Sequence, residues 1–307
     1  MRTTDGSTVS DVLAISSLDN PADLPSIEEL KKKVKDFADN LMELKETPMI
    51  EEYYTGPVLF EGGAASRLFT DNLLSPGRLL ALRTMAPARG MLDEQLGRRI
   101  IDSRLTVKNY TTLAEYNGTP LFGYEIDGDG VVPAAELTLV ENGVFKRMLN
   151  GRVPTLKAPE STGSARFMIS PDNPMAIVSP GTIHVQASKG VGPEKLKKAL
   201  LKAAKEADLE YAYIVRRIGG EASAVYKVNV KDGKEIRVRV NNLSAPELTK
   251  LMDLKGISSD ERVMNYFPNG VPASLIYPSA IIVGDVEINR TTPKIEEEPV
   301  LKHPLQR

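Results

Sequence analysis

Residues 56–74 read GPVLFEGGAASRLFTDNLL and place a short strand directly before a helix. Residues 58–60 are an apolar run of the kind found in buried strands. The pair Gly62-Gly63 then interrupts the strand, and apolar residues recur at helical spacing over residues 64–73. The segment therefore predicts a strand, a tight turn and a helix.

The second half of the chain has the pattern of short strands joined by turns. Asn142-Gly143 is a strong signal for a hairpin turn. We interpret Asp127–Gly130 in the same way, as the turn between strands at residues 121–126 and 136–140. Gly284, inside the last predicted strand, indicates a bulge. Hairpin signals outnumber any strand–helix–strand pattern, so the sequence predicts an α+β fold that is mainly antiparallel β.

A helix is predicted near the start of the chain. Ser26 and Glu29 have the spacing of a capping box. Apolar residues then follow at steps of three and four, at Ile27, Leu30, Val34, Phe37, Leu41 and Leu44. The lysines at 31–33 lie among acidic residues, which is typical of a solvated helix face. The helix is expected to end near Thr47, before Pro48.

The composition excludes several classes of protein. Of the 307 residues, 41% are hydrophobic and 26% are charged, as in ordinary globular proteins. A formal net charge of -2 gives no general attraction to phosphate backbones, so nucleic acid is not expected as a partner. No apolar run has the length of a membrane span, and the first ten residues lack a signal-peptide core. We therefore expect a cytoplasmic protein with no membrane partner.

The segment at 56–74 resembles the start of the core of the TldD/PmbA family. The resemblance continues, in the same order, through residues 101–152, through SPDNPMAIVSPGT (170–182) and through GVPASLIYPSAIIVGDVEIN (270–289). Members of this family carry the label "modulator of DNA gyrase" and are peptidases or partner subunits of peptidases. The resemblance implies a distorted, barrel-like core of antiparallel strands with helices at its rim.

The chain departs from the family at the metal motif. In the peptidase branch, the helix that corresponds to residues 64–74 carries His-Glu-x-x-x-His. The resemblance places Phe69 and Leu74 at the histidine positions and Thr70 at the glutamate position. A cysteine ligand of that branch is also missing, because the chain contains no Cys. We therefore expect no metal and no other cofactor, as in the PmbA-like branch, and we expect Phe69 and Leu74 to be buried.

The resemblance also implies a division of the chain into three parts. Residues 1–50 correspond to the end of an N-terminal domain, of which the rest is expected to be missing, and a connecting helix. Residues 51–290 correspond to the C-terminal core domain of the family. Residues 291–307 are rich in proline and charge and predict an extended tail. Residues 77–91 predict a loop with one short helix.

A candidate peptide site comes from the loop at Pro159–Ser170. In the family the corresponding loop borders the substrate groove, so the resemblance makes Arg152, Ser164 and Arg166 candidates for peptide contacts. The favoured interpretation is a non-catalytic PmbA-like subunit. It would bind an extended peptide, or complete a metallopeptidase together with an active TldD-like partner, or self-associate.

Two other functions stay open. One is a peptidase that works by an unrecognised mechanism. A serine mechanism would need His184 or His303 as the base, since these are the only histidines. His184 lies in an apparent strand, where histidine is more often structural, and His303 lies in the tail, so no catalytic residue is assigned. A Ser-Lys pair is also open. The other function is a DNA-gyrase-associated modulator.

Overall fold

The structure is a computed structural model that describes residues 2–4, 6–13, 15, 24–82, 92–168, 175–219, 223–240 and 243–289. The α-helices in these ranges are α1 (Ile27–Glu46), α2 (Gly63–Leu73) and α3 (Pro193–Glu206). The strands are β1 (Tyr54–Glu61), β2 (Leu105–Tyr110), β3 (Glu115–Tyr116), β4 (Thr119–Pro120), β5 (Glu136–Glu141), β6 (Val144–Phe145), β7 (Ala165–Met168), β8 (Met175–Val178), β9 (Thr182–Ala187), β10 (Tyr211–Arg217), β11 (Ala224–Asn229), β12 (Glu235–Val238), β13 (Gly256–Ile257), β14 (Glu261–Tyr266), β15 (Ala273–Pro278) and β16 (Ala280–Ile288). The predicted tail at 291–307, with His303, and residues 83–91 of the predicted loop lie outside the described residues.

The strands form two six-stranded sheets and two small ribbons. Sheet A has the order β12-β11-β10-β1-β16-β13, and sheet B has the order β14-β15-β9-β2-β5-β6. The ribbons are β3-β4 and β7-β8. Within the two sheets, β1 pairs with β10 and β9 with β15 in parallel, and the other pairs are antiparallel. The α+β, mainly antiparallel prediction is confirmed. The barrel-like description was too loose, because neither sheet closes on itself in the described ranges.

Two hydrophobic cores hold the layers together. The main core lies between the sheets and includes α2, with Phe60 from sheet A and Leu275 from sheet B, both fully buried. The second core lies on the other face of sheet A, where Leu196 of α3 packs with Leu59 and Ile282. Sheet A is therefore covered on both faces, which explains why β1 is a continuous apolar run and does not alternate.

A bulge interrupts the pairing of β1 with β16. Gly56 pairs with Val286 and Val58 pairs with Val283, so the single residue Pro57 lies opposite both residues 284 and 285. Proline has no N–H to donate to a ladder, and a bulge removes the need for that bond. The bulge predicted from Gly284 is confirmed.

Helix α1 begins as predicted. The backbone N–H of Glu29 donates to Ser26 Oγ at 3.3 Å, and the N–H of Ser26 donates to Glu29 Oε2 at 2.9 Å, which completes the capping box. Leu44 is its one buried residue and packs with Val9 and Leu41. Across the described ranges, none of the helices combines the length and the apolar character that crossing a membrane requires.

The hairpin predictions had different outcomes. The Asn142-Gly143 turn is confirmed, since it joins β5 to β6 with both residues at positive φ, 47° and 79°. The Asp127–Gly130 hairpin was wrong, because residues 121–126 form no strand. The carboxylate of Asp127 instead accepts hydrogen bonds from the backbone N–H of Asp129 at 2.9 Å and of Ala165 at 3.0 Å. This side chain stabilises a loop that replaces the ladder of a hairpin.

Candidate functional site

The metal-motif positions of α2 lie in the hydrophobic core. The side chains of Phe69 and Leu74 are 1% and 7% exposed and belong to the main core. Thr70 is half-buried, and its hydroxyl donates to Asp71 Oδ1 at 3.2 Å. A phenyl ring and an isobutyl group offer no lone pair to a cation, so these positions stabilise packing. No group of three or more His, Asp or Glu side chains that could hold a metal ion occurs in the described part of the chain.

The N-terminus of α2 opens on a polar cleft of about 280 Å³. Gly62 precedes the helix with a φ of +54°, a conformation that favours glycine, and a Cβ there would lie 2.9 Å from Arg262 Nη1. Arg216, on another wall, pairs with Glu61 at 3.0 Å and with Glu235 at 2.8 Å. The cleft therefore places the Arg262 guanidinium beside Gly62, the residue that precedes the helix.

Two of the predicted peptide-contact residues meet at Tyr124. The guanidinium of Arg166 lies 4.3 Å from the centroid of the Tyr124 ring. The Tyr124 hydroxyl donates to the carbonyl oxygen of Gly163 at 3.0 Å. Burial lowers the pKa of Arg166. Ser164 is fully buried, and its hydroxyl lies 3.0 Å from that of Thr162. Of this pair, only Arg166 is partly open to solvent.

Arg152 lies beside the turn at residues 127–130. Its backbone N–H donates to Asp129 Oδ2 at 2.9 Å, and its Nη1 donates to the Asp129 carbonyl oxygen at 3.4 Å. The Asp127 carboxylate of this turn holds the backbone of Ala165, the residue before Arg166. The structure therefore places Arg152 and Arg166 around one turn, with Arg152 exposed and Arg166 half-buried.

The first part of the predicted loop borders a second cleft. Residues 157–162 form one wall of a space of about 420 Å³, and residues 131–134 and 146–148 line it as well. Its walls combine apolar side chains such as Leu137 with cations such as Lys146. Helix α2 contributes no residue to this cleft, and neither do the three predicted peptide-contact residues.

A polar cluster of His184, Glu261 and Tyr116 joins sheet B to the β3-β4 ribbon, and the sequence pointed only to His184. His184 Nε2 lies 3.0 Å from both carboxylate oxygens of Glu261, and the Tyr116 hydroxyl forms a short hydrogen bond with the same carboxylate. Burial raises the pKa of Glu261, but the hydrogen bonds from His184 and Tyr116 outweigh it, so that the pKa is lowered. The hydrogen bond to Glu261 raises the pKa of Tyr116 to about 12.

The contacts of His184 fit a structural role. Besides Glu261, its Nδ1 lies 3.4 Å from Gln186 Nε2, and the Tyr116 ring packs edge-on with a centroid distance of 5.4 Å. Glu261 lies 77 residues from His184, so local sequence spacing gave no signal for the pair.

Comparison with solved structures identifies the fold. A search of curated proteins finds no match by sequence. TldE from Thermococcus kodakarensis aligns with a TM-score of 0.56 and 16% identity. A protein described as a candidate modulator of a DNA gyrase from Thermotoga maritima MSB8 aligns with a TM-score of 0.52 and 17% identity. The alignments cover 85% and 90% of this chain, but only 55% and 60% of those two chains. At such identities the likeness shows the fold alone.

The family match is more specific than the structural likeness. Residues 53–289 match the family described as PmbA/TldA metallopeptidase C-terminal domain. This range begins just before β1, contains α2 and ends just after β16. It therefore includes the strand–turn–helix unit and both sheets, and the chain belongs to the PmbA/TldD family.

Proposed function

We propose that this chain is a non-catalytic, PmbA-like subunit that binds an extended peptide and completes a metallopeptidase together with a TldD-like partner. The observation that carries the proposal is the burial of Phe69 and Leu74, at the positions where the peptidase branch has its histidines. A catalytic zinc needs about three protein ligands and an activated water. In this chain, two of the positions that correspond to that motif carry the apolar side chains of Phe69 and Leu74, which cannot coordinate a metal.

The binding of an extended peptide is supported by open strand edges. Sheets A and B are not closed, so β12, β13, β14 and β6 each lie at an edge, within the described residues. An extended peptide can add to such an edge through main-chain hydrogen bonds, with little dependence on its side chains. The ribbon β7-β8 is of interest because β7 carries Arg166 and continues directly from the loop at 159–164. The Arg166 guanidinium can serve a peptide carboxylate or carbonyl.

The test of the partnership is reconstitution with a TldD-like protein that has an intact His-Glu-x-x-x-His helix. We expect a stable complex by size-exclusion chromatography with light scattering. We also expect peptidase activity in the mixture that is abolished when the partner's motif histidines are replaced. No complex, and a TldD-like protein whose activity is unchanged by this chain, would contradict the proposal.

A separate control addresses the self-contained peptidase. The purified chain should not cleave casein or short peptides. Robust turnover by the chain alone, lost in the double variant His184→Ala/His303→Ala, would instead establish a histidine-dependent peptidase.

Peptide binding is tested by removing the two arginines. The double variant Arg152→Ala/Arg166→Ala should weaken the binding of an unstructured peptide by about 1–3 kcal/mol, the range for hydrogen bonds that involve a charged group. The matched control is Lys195→Ala/Lys198→Ala, which removes two exposed cations of α3 on the far face of sheet A. Titrations should be made with and without the partner subunit. Equal affinities of the two double variants would exclude Arg152 and Arg166 from the site.

A further inference from the structure

The cleft beside residues 157–162 combines an apolar floor with cationic walls. Its volume of about 420 Å³ lies near the lower end of the roughly 300–1,000 Å³ that small-ligand sites occupy. Met148 on the floor is buried, and Leu96 and Leu137 are half-buried. The charged residues that line the cleft in the described chain are Lys146, Arg147, Lys157 and Glu160. Three cations and one carboxylate around an apolar floor fit a small ligand that carries a negative charge and an apolar group.

Two of the cations are open to an anionic ligand. Lys146 Nζ already pairs with Glu141 Oε2 at 3.2 Å. Arg147 and Lys157 are exposed, and neither side chain has an ion-pair partner among the described residues. A guanidinium binds a carboxylate through two parallel hydrogen bonds, and an ammonium adds a compact charge. Exposed ion pairs contribute little by themselves, so burial of an apolar group on the floor has to supply the rest of the affinity.

The wall at residues 157–162 is held in place by Asn150, which is fully buried. Asn150 Nδ2 donates to the carbonyl oxygen of Ala158 at 2.7 Å. The Thr162 hydroxyl donates to the carbonyl oxygen of Asn150 at 2.9 Å, and the N–H of Ala158 donates to Thr155 Oγ1 at 3.0 Å. A loop that is already ordered does not lose further conformational freedom when a ligand binds. These hydrogen bonds therefore form the cleft before a ligand arrives.

The N-terminal segment of the chain attaches to a different part of the molecule. Glu43 Oε2 pairs with Arg237 Nη1 at 2.5 Å, and Arg239 Nε donates to the carbonyl oxygen of Thr47 at 2.9 Å. These arginines lie in and just after β12, at an edge of sheet A. The cleft instead lies beside β5 and β6, at an edge of sheet B, and its lining includes no residue from 2–50. The contacts of this segment therefore leave the cleft open.

We propose that the cleft binds the C-terminal residue of a peptide, with the α-carboxylate at Arg147 and Lys157 and an apolar side chain on the floor. The inference rests on the proposed function, which supplies the extended peptide. Thr162 of the wall and Arg166 of β7 are four residues apart, so their Cα atoms are separated by at most about 14 Å. An extended peptide covers this span with about four residues. One peptide can therefore contact Arg166 along its length and end in the cleft.

Other anions match the cleft less well. A nucleobase is held by stacking on aromatic side chains, and none of the described residues that line the cleft is aromatic. An inorganic anion has no group to bury on the apolar floor. An internal segment of a peptide has apolar side chains but lacks the terminal charge that the two open cations would receive.

The experiment uses the full chain and three labelled, unstructured peptides that differ only at the C-terminus. The first ends in Leu with a free carboxylate, the second ends in Leu amide, and the third ends in Gly with a free carboxylate. Fluorescence anisotropy should show the first peptide binding at least about tenfold more tightly than either of the others, because only it offers both the charge and the apolar side chain.

Variants of the two open cations locate the carboxylate. Arg147→Ala/Lys157→Ala should abolish the preference for the carboxylate over the amide, and Arg147→Glu/Lys157→Glu should reverse it. The matched control Lys195→Ala/Lys198→Ala, on exposed positions of α3, should retain the preference. Circular dichroism and thermal unfolding check that each variant remains folded.

A second probe separates this inference from the proposed function. N-acetyl-leucine has the carboxylate and the apolar side chain but is too short to add to a strand edge. At millimolar concentrations it should shift the methyl resonance of Met148 in NMR spectra, and N-acetyl-leucinamide should shift it much less. If no peptide binds, such a shift still supports the cleft as a carboxylate site and contradicts peptide binding as the function of this chain.

Three results would overturn the inference. The first is equal binding of the carboxylate and amide peptides, which would leave peptide binding itself intact. The second is a preference for the carboxylate that persists in Arg147→Ala/Lys157→Ala and is lost in Arg152→Ala/Arg166→Ala, which would place the carboxylate at the β7 loop. The third is that no peptide binds and N-acetyl-leucine leaves Met148 unshifted, which would contradict the proposed peptide binding as well.

Discussion

Replacing Phe69 by His tests directly whether α2 is a structural or a metal-binding helix. Phe69 is 1% exposed within the main core. A buried phenylalanine removes roughly 150–250 Å² from water, which at about 25 cal/mol per Å² corresponds to about 4–6 kcal/mol. Histidine regains part of this burial but leaves a polar ring without partners, at a cost of about 1–3 kcal/mol. We therefore expect Phe69→His to lower the free energy of unfolding by about 3–5 kcal/mol, a large fraction of the roughly 5–15 kcal/mol typical of a domain.

The assay is guanidinium unfolding followed by circular dichroism, with and without added zinc. Arg67→His is the matched control, because it introduces the same residue on the same helix at a side chain that is 51% exposed. It removes one surface ion pair with Asp71, worth about 0.3–0.5 kcal/mol. Zinc should leave both variants unchanged, whereas structural zinc sites contribute on the order of 10 kcal/mol. The reasoning is refuted if Phe69→His costs no more than Arg67→His, or if zinc restores its stability.

Two further predictions concern the folded state. Gly62→Ala should lower the free energy of unfolding by roughly 1–2 kcal/mol, because Gly62 has a left-handed φ and a Cβ would press against Arg262. Gly219→Ala is the control, because nothing lies within 4 Å of the added carbon there, and it should have a much smaller effect in thermal unfolding. Equal effects of the two substitutions would contradict this prediction. The pKa of Glu261 is lowered by folding, so its ionised form contributes stability that is present above the ordinary value of 4.5 and is lost as the pH falls below it. The difference in unfolding free energy between the wild type and Glu261→Gln should therefore narrow in acid, and a difference that is constant from neutral pH to about pH 3 would exclude this linkage.

The features that the sequence predicted correctly depend on residues close together in the chain. Ser26 and Glu29 are three positions apart, and the capping box forms as their side chains dictate. Asn142 and Gly143 both tolerate positive φ, so they specify the turn between β5 and β6 with little help from the surroundings. The burial of Phe69 followed from helical spacing together with the family resemblance, and the structure confirms it.

The features that were missed depend on contacts between distant segments. Asp127–Gly130 has the composition of a hairpin turn, but the deciding interaction is the bond from Asp127 to the N–H of Ala165, 38 residues away. The partner of His184, Glu261, comes from β14, which lies two strands away in sheet B and 77 residues later in the chain. No local pattern indicates such contacts, because the residues are 38 and 77 positions apart and meet only in the tertiary structure.

The bulge opposite Pro57 changes which residues of β16 face the main core. Before the bulge, odd-numbered residues such as Ile281 and Val283 point into that core; after it, the even-numbered Val286 and Ile288 do. Deleting one residue at 284 or 285 would restore strict alternation and leave these last two side chains on the core face, because the bulge holds the one extra residue that changes the numbering from odd to even. A regular ladder would also require an N–H at position 57, which proline lacks. We therefore expect that relatives which lack one residue at the bulge in β16 also have a residue other than proline at the position of Pro57.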